Sequence, residues 1–256
     1  MDFLMALSTD VGIRKKINQD SLCLKAARTD KGNVLMAIVC DGMGGLSSGE
    51  LASATVIRRF DKWFESELPT LIGNKNFIEQ LPMIWDKIIQ QLNLEIEAYG
   101  KRSNIQLGTT LTAMLVFDSQ YLVAHVGDSR AYHIDGKKLM CITKDQTLVQ
   151  REVDQGRLTA VAALTDPRRS VLLQCIGASK TVVPAMYTGK VKMGDVYLLC
   201  SDGFRHEIKE NEIIDSFSSG SIDSEKKIYD NISHLISLNI KRKEQDNISA
   251  IVFKVV

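Results

Sequence analysis

Apolar positions in this chain come as short blocks, then two long helical stripes, then short blocks again. Residues 2–9 and Ser21–Ala27 read as strands, and Asp30-Lys31-Gly32-Asn33 as the hairpin turn into a third apolar run, Leu35–Cys40. From Glu50 to Leu68 the spacing becomes that of an amphipathic helix, with Val56, Phe60, Trp63 and Phe64 on one face. A second helix is expected over Asn76–Tyr99, where Phe77, Leu81, Ile84, Trp85, Ile88, Leu92 and Ile96 keep the helical spacing. Pro82 marks its first turn or a kink. The two stripes predict an antiparallel helix pair whose aromatic residues are core.

The period then shortens. Gly108–Phe117, Tyr121–Val126, Ala131–Ile134 and Lys138–Ile142 read as consecutive strands of an antiparallel meander, with Asp118-Ser119-Gln120 and Asp135-Gly136-Lys137 as turns. Residues 145–180 are irregular apart from a short helix at Leu148–Asp154, and Gly156–Arg169 reads as a mobile surface loop. Strands are expected at Val183–Lys190 and Asp195–Cys200, helices at Glu210–Phe217 and Ser224–Ile240, and a closing strand at Ile248–Val256. No repeat, linker or low-complexity stretch divides the 256 residues. The pattern implies one α+β domain over residues 1–256: a central antiparallel β-sandwich of two sheets, flanked on both faces by pairs of antiparallel helices.

Composition removes several classes of function. Hydrophobic residues make up 45% of the chain, enough for a substantial core, and 32 Lys and Arg stand against 31 Asp and Glu. That balance gives no reason to expect binding to nucleic acid or to an anionic membrane. Basic clusters at Arg14-Lys15-Lys16, Arg168-Arg169 and Lys241-Arg242-Lys243 read as solvated faces. The five cysteines form no C-x-x-C pair and read as buried, reduced thiols of a cytoplasmic protein, not as a disulfide frame or zinc site. The N-terminus lacks the pattern of a signal peptide, and no apolar run is long enough to cross a bilayer.

Candidate chemistry gathers where apolar runs end in carboxylates. Leu35–Cys40 stops at Asp41, followed by Gly42, Met43, Gly44 and Gly45; Val196–Cys200 leads to Asp202-Gly203, and Leu122–Val126 to Gly127-Asp128. Asp246 stands just before the closing strand. An unpaired charge at the mouth of a core strand is costly, so carboxylates brought together there call for a hard cation. The glycine turn after Asp41 does not fit a dinucleotide fingerprint, because the third glycine would fall on Ser47 and another helix follows. A Walker loop fails because Gly49 is followed by Glu50. No cysteine has the polar, glycine-flanked setting of a nucleophile.

Taken in order, these stretches resemble the bacterial-type protein phosphatase 2C family of metal-dependent Ser/Thr phosphatases. The motifs are Asp10-Val11-Gly12, Asn18-Gln19-Asp20, Val39–Gly45, Gly49-Glu50-Leu51-Ala52-Ser53, Gly108-Thr109-Thr110, Gly127–Tyr132, Leu199–Gly203 and Asp246-Asn247-Ile248-Ser249. The resemblance implies two Mn²⁺ or Mg²⁺ ions bridged by Asp41. Asp202 and Asp246 complete one ion, the Gly42 carbonyl and Asp41 serve the other, and Asp20 acts through water. Asp128, with Asp202, matches the ligands of a weaker third ion. Asp41, Asp202, Asp246 and Asp20 are therefore the catalytic candidates. Water held between two dications attacks a phosphomonoester in line, and no covalent intermediate is required.

Substrate binding is assigned to the first basic cluster. The family's phosphate-binding Arg falls on Lys15, with Arg14 beside it; in an extended segment the two would face opposite ways. Met43 stands where many eukaryotic relatives carry His. The family's Asp-His-Ser is Asp145-Gln146-Thr147 here, and its His-Pro-x-Arg is Asp166-Pro167-Arg168-Arg169. Both flank the segment that forms a flap in bacterial relatives, around 147–169, and both bear on substrate docking. His125 and His234 read as structural, whereas His206 follows Asp202 closely enough to approach the ions. The expected partners of this monomer are phosphorylated proteins, a cognate Ser/Thr kinase among them. A catalytically silent, phosphatase-like binding module is the alternative.

Overall fold

The computed structural model describes residues 1–43, 48–136 and 138–256. Gly44, Gly45 and Ser47 of the glycine turn, and Lys137 of a hairpin turn, lie outside the described residues. Two five-stranded antiparallel sheets make the middle layers. One has the order β1 (Phe3–Asp10), β10 (Ile248–Val255), β9 (Val196–Cys200), β6 (Arg130–Asp135), β7 (Lys138–Cys141). The other runs β2 (Asp20–Thr29), β3 (Gly32–Asp41), β4 (Leu111–Phe117), β5 (Gln120–Val126), β8 (Ala185–Lys190).

Alternation along each central strand fixes the layering. Leu35, Ala37 and Val39 of β3 meet Tyr197 and Leu199 of β9 and Ile251 and Phe253 of β10 between the sheets. Met36, Ile38 and Cys40 turn outward under α1 (Gly49–Lys62) and α3 (Phe77–Ser103). Leu198 and Val252 turn the opposite way, under α7 (Glu210–Phe217) and α8 (Glu225–Lys241). A strand covered on both faces needs apolar residues at consecutive positions, which is why these strands are continuous runs and not alternating ones. Helices thus cover both outer faces of the sandwich, as expected.

The first helix departs from expectation. Instead of running unbroken to Leu68, it passes through a π-turn at Trp63–Glu67 into the short α2 (Leu68–Leu71). Pro69 has no N–H for the Glu65 carbonyl and its ring would press on that carbonyl in a straight α-helix. The wider turn relieves this, and the Leu68 N–H bonds to the Trp63 carbonyl, bringing Leu68 onto the buried face with Trp63. Trp63 and Phe60 both pack edge-on against Trp85 of α3, at centroid distances of 5.6 and 5.3 Å. Pro82 lies in the second turn of α3, and the helix continues past Tyr99 to Ser103. Cys141, at the end of β7, is exposed, unlike the other four cysteines.

The segment expected to be irregular carries two short helices, α4 (Leu148–Asp154) and α5 (Ala160–Ala163). The Thr147 and Thr159 hydroxyls cap them, accepting from the N–H groups of Gln150 at 3.2 Å and Ala162 at 3.1 Å. A further single turn, α6 (Asp202–Arg205), begins at Asp202 itself.

Candidate metal centre

Strand register brings the aspartates to one edge of the sandwich. Asp41 ends β3, Asp20 begins β2, and the two are directly paired across the ladder. In the other sheet β9 runs antiparallel to both its neighbours, and Cys200 pairs with Ala250 on one side and Arg130 on the other. Asp202 lies two residues beyond Cys200, Asp246 two before Ile248, and Asp128 two before Arg130. Three connections from one sheet and two from the other thus deliver carboxylates to a common rim.

The backbone at Asp41 is held from both sides. The Thr110 hydroxyl accepts its N–H at 2.9 Å, the Thr109 hydroxyl donates to its carbonyl at 3.0 Å, and the Thr110 N–H donates to that carbonyl at 2.9 Å. The motif Gly108-Thr109-Thr110 therefore positions the Asp41 backbone. Gly42 lies so close to Gly49 that a Cβ would come within 2.5 Å of the Gly49 carbonyl, so only glycine fits. The Gly42 N–H bonds to the Gln19 carbonyl at 3.1 Å, while its own carbonyl takes no hydrogen bond from the described residues.

The carboxylates are destabilised as anions. Among the described residues, both oxygens of buried Asp20, and Oδ1 of Asp202, have no well-formed hydrogen bond. Burial pushes the Asp20 carboxyl up to about 7, against the pull of the nearby Ser249 and Ser201 hydroxyls, with the charges of Asp202 and Asp246 adding to the rise. Burial and Asp202 push Asp128 up to about 7, against the pull of Arg205. Asp41 is driven well above the carboxylate range by burial and by Asp20, Asp202, Asp128 and Asp246. Asp41 thus feels the other four. Among the described residues no three His, Cys, Asp or Glu side chains close tightly enough to enclose an ion alone. The donor set, oxygen throughout and open between its members, suits Mn²⁺ or Mg²⁺, which keep several waters.

Lys15 reaches this rim. Its Nζ lies 2.8 Å from Asp246 Oδ1. Burial would lower the ammonium pKa, but Asp246, Asp41 and Asp202 raise it. Residues 12–14 form a turn, so strict alternation does not apply; Arg14 donates to the Gln245 side chain and makes no ion pair with the aspartates among the described residues. Asn247 fastens this loop: its Oδ1 accepts from the Gln19 N–H at 2.9 Å and its Nδ2 donates to the Val11 carbonyl at 2.9 Å.

Of the other groups at the edge, His206 and Asp145 stand out in the sequence, whereas Glu244 and Arg205 do not. His206 lies between Asp202 and Glu244, with Nε2 3.5 Å from Asp202 Oδ2 and Nδ1 3.4 Å from Glu244 Oε2. Burial alone would lower its pKa, but Glu244 and Asp202 raise it. Asp145 is not free to dock substrate. Arg130 grips it with two hydrogen bonds of 2.7 and 2.8 Å, and Arg205 adds a third contact at 3.3 Å while donating to the Asp128 carbonyl at 3.1 Å. Gln146 accepts the Gly127 N–H at 2.9 Å, so the Asp145-Gln146 pair braces the loop that carries Asp128. Arg130 gives a local signal through Gly127–Tyr132, as do Asp145-Gln146 and His206. Glu244 and Arg205 find partners far away in sequence. His125 is structural: Thr112 and the Lys144 carbonyl hold its two nitrogens at 3.0 and 3.1 Å.

Comparison with known proteins agrees with this architecture. The family model for protein phosphatase 2C matches residues 13–228. The serine/threonine phosphatase stp of Listeria monocytogenes serotype 4b is 32% identical over 222 residues, covering 85% of this chain and 84% of that protein. The crystal structure of serine/threonine phosphatase Stp1 from Staphylococcus aureus superimposes with a TM-score of 0.84 at 26% identity, covering 100% of this chain and 96% of that one. The catalytic domain of the phosphatase PstP, solved with two manganese ions, gives a TM-score of 0.80 at 28% identity, covering 99% and 98%. With the family's model matched over most of its length and its fold reproduced throughout, this chain belongs to the protein phosphatase 2C family.

Proposed function

We propose that this protein hydrolyses phosphoserine and phosphothreonine in proteins, using Mn²⁺ or Mg²⁺ held by Asp41, the Gly42 carbonyl, Asp202 and Asp246, with Asp20 acting through water and Asp128 and Asp202 holding a weaker third ion. The observation that carries the reading is the rim of five aspartates, in which buried Asp41 feels the charges of the other four and the oxygens of buried Asp20 meet no well-formed hydrogen bond among the described residues. Such a set is stable only when protonated or when divalent charge is present.

The ions would cancel the charge of the phosphomonoester dianion and supply water activated for in-line attack. The chain's own residues do the rest. Thr109 and Thr110 fix the backbone that carries Asp41. Lys15, next to Asp246, offers a positive charge to the phosphate as it arrives. Arg130, Asp145 and Arg205 hold the Asp128 loop in place. The named relatives are serine/threonine phosphatases, which supports the substrate class. We further infer a cytoplasmic monomer acting on phosphorylated proteins, a cognate Ser/Thr kinase among them. No helix among the described residues is long and apolar enough to cross a membrane. No observation favours a silent binding module.

The test is hydrolysis of p-nitrophenyl phosphate and phosphothreonine peptides by purified protein. Activity should vanish on chelation with EDTA and return with Mn²⁺ or Mg²⁺. Turnover that survives thorough chelation would refute the mechanism, and silence with every metal would favour the binding module.

A further inference from the structure

The three basic clusters of the sequence, each expected to be an ordinary solvated face, converge. Arg14 and Lys15 from the β1–β2 loop, Arg169 from the flap segment and Lys243 from the end of α8 line one cleft of about 420 Å³ that opens beside Asp202 and Asp246. These residues are more than 70 positions apart in sequence, taken cluster by cluster, so only the fold brings them together.

Four basic side chains line this cleft against four carboxylates, but most of the carboxylates are already engaged. Lys15 is committed to Asp246. Glu244 is buried, bonded to His206, and accepts the N–H groups of Gln245 and Asp246 at 2.7 and 2.9 Å. Asp202 and Asp246 belong to the candidate ion ligands. That leaves Arg14, Arg169 and Lys243, all exposed, against the single exposed carboxylate Glu207. Arg14 bonds to a neutral amide and Arg169 to the Leu164 carbonyl, and neither they nor Lys243 has an ion-pair partner among the described residues. In a chain whose net charge is only +1, three unneutralised cations around one cleft form a local anion-attracting surface.

Resting on the phosphatase reading above, we propose that this cleft is a specificity subsite that binds an anionic group, carboxylate or second phosphate, carried near the phosphorylated residue of the substrate protein. A phosphate seated at the aspartate rim places its neighbouring residues within reach of Arg14 and Lys243. An acidic neighbour there meets positive charge, and a basic one is repelled. Because the cations are exposed, the preference is moderate and weakens with salt.

The experiment compares phosphothreonine peptides flanked by glutamates, by glutamines, by lysines, or by a second phosphothreonine, at low salt with Mn²⁺. Hydrolysis is read as kcat/KM, and direct binding by fluorescence polarisation. The glutamate and doubly phosphorylated peptides should exceed the lysine peptide about tenfold in kcat/KM. Lys243→Glu should narrow that ratio to about threefold while hydrolysis of p-nitrophenyl phosphate, which carries no flanking residue to meet Lys243, stays unchanged. A gain confined to the doubly phosphorylated peptide upholds the subsite and assigns it to phosphate; equal gains assign it to negative charge in general. A flat ranking of the four peptides overturns the proposal, as does a ranking that Lys243→Glu leaves intact. Polarisation separates the two readings: acidic peptides that bind selectively without any hydrolysis would refute the phosphatase and leave the subsite standing.

Discussion

Asp20 shows at the scale of one residue what the whole edge requires. A buried carboxylate with neither oxygen in a well-formed hydrogen bond must keep its proton or face a cation. Removing charge from the ion ligands should therefore be severe. Asp41→Asn, Asp202→Asn and Asp246→Asn should each lower kcat/KM about a thousandfold or more. Asp128→Asn should slow turnover while calorimetry still detects tight Mn²⁺ binding. Loss of the tight sites in Asp128→Asn but not in Asp41→Asn would reverse the assignment. Lys15 and Arg14 separate in the same way. On p-nitrophenyl phosphate, Lys15→Ala should raise KM about tenfold, about 1.4 kcal/mol, with a smaller fall in kcat, and Arg14→Ala should change little. A larger KM effect from Arg14→Ala would shift the phosphate contact by one residue. His125 gives a pH-dependent case. Burial pushes its pKa down to about 4, so the unfolded chain takes up the proton first as pH falls from the ordinary value of 6.5. The stability that His125 contributes is complete above that range and declines toward pH 4, by on the order of 3 kcal/mol. Asp20 and Asp128 act in the opposite direction over part of this range, because a carboxyl with a raised pKa favours the folded state at lower pH. The informative quantity is thus the difference between wild type and His125→Gln in urea unfolding, which should shrink as pH is lowered from 7 to about 5. A constant difference would show that His125 is not buried neutral.

At the scale of elements, the flap segment is where local and tertiary structure part company. Thr147–Arg169 is tied down chiefly by its own caps and by exposed ion pairs such as Arg157 with Glu152 and Arg168 with Asp166. Its amides should exchange with solvent much faster than those of β3 and β4, whose residues are almost all buried. Protection of this segment equal to that of the strands would contradict the expectation. The strands around the site were legible in the sequence because each is covered on both faces and so carries an uninterrupted apolar run, as at Leu35–Cys40. Helices α1, α3 and α8 were legible from their stripes. The π-turn was not, because it answers to Pro69 and to the need to bury Leu68 beside Trp63. Neither α5 nor α6 has enough residues to show a period. Asp41, Asp128 and Asp202 could be picked out one by one, since each follows an apolar run; Asp246 stands just before one, and Asp20 comes only with the family resemblance. Their bracing could not: Asp145 meets Arg205, and Glu244 meets His206, through contacts that only the assembled sandwich creates.

For the molecule as a whole, the helix layers are interchangeable in kind but the sheets are not. The β1–β10 pairing joins Phe3 to Val255 and Asp10 to Ile248, nearly the full length of the chain apart. The sheet that holds Asp128, Asp202 and Asp246 cannot close around β10 until its neighbours on both sides are present. The β2-β3-β4-β5 portion of the other sheet, with α1 and α3, draws on residues 20–126 alone. Folding should accordingly show two phases, with burial of Trp63 and Trp85 preceding formation of the β1–β10 ladder; a single phase seen by both indole fluorescence and ladder exchange would refute this order. The same pairing sets a clock during synthesis. A ribosome adding about 5–20 residues per second needs roughly 10–50 s to travel from the first strand to the last. Throughout that interval β1 has no partner and Asp246 does not yet exist, so on the proposed mechanism the nascent chain should lack a complete carboxylate rim and stay inert toward phosphoproteins until β10 has emerged.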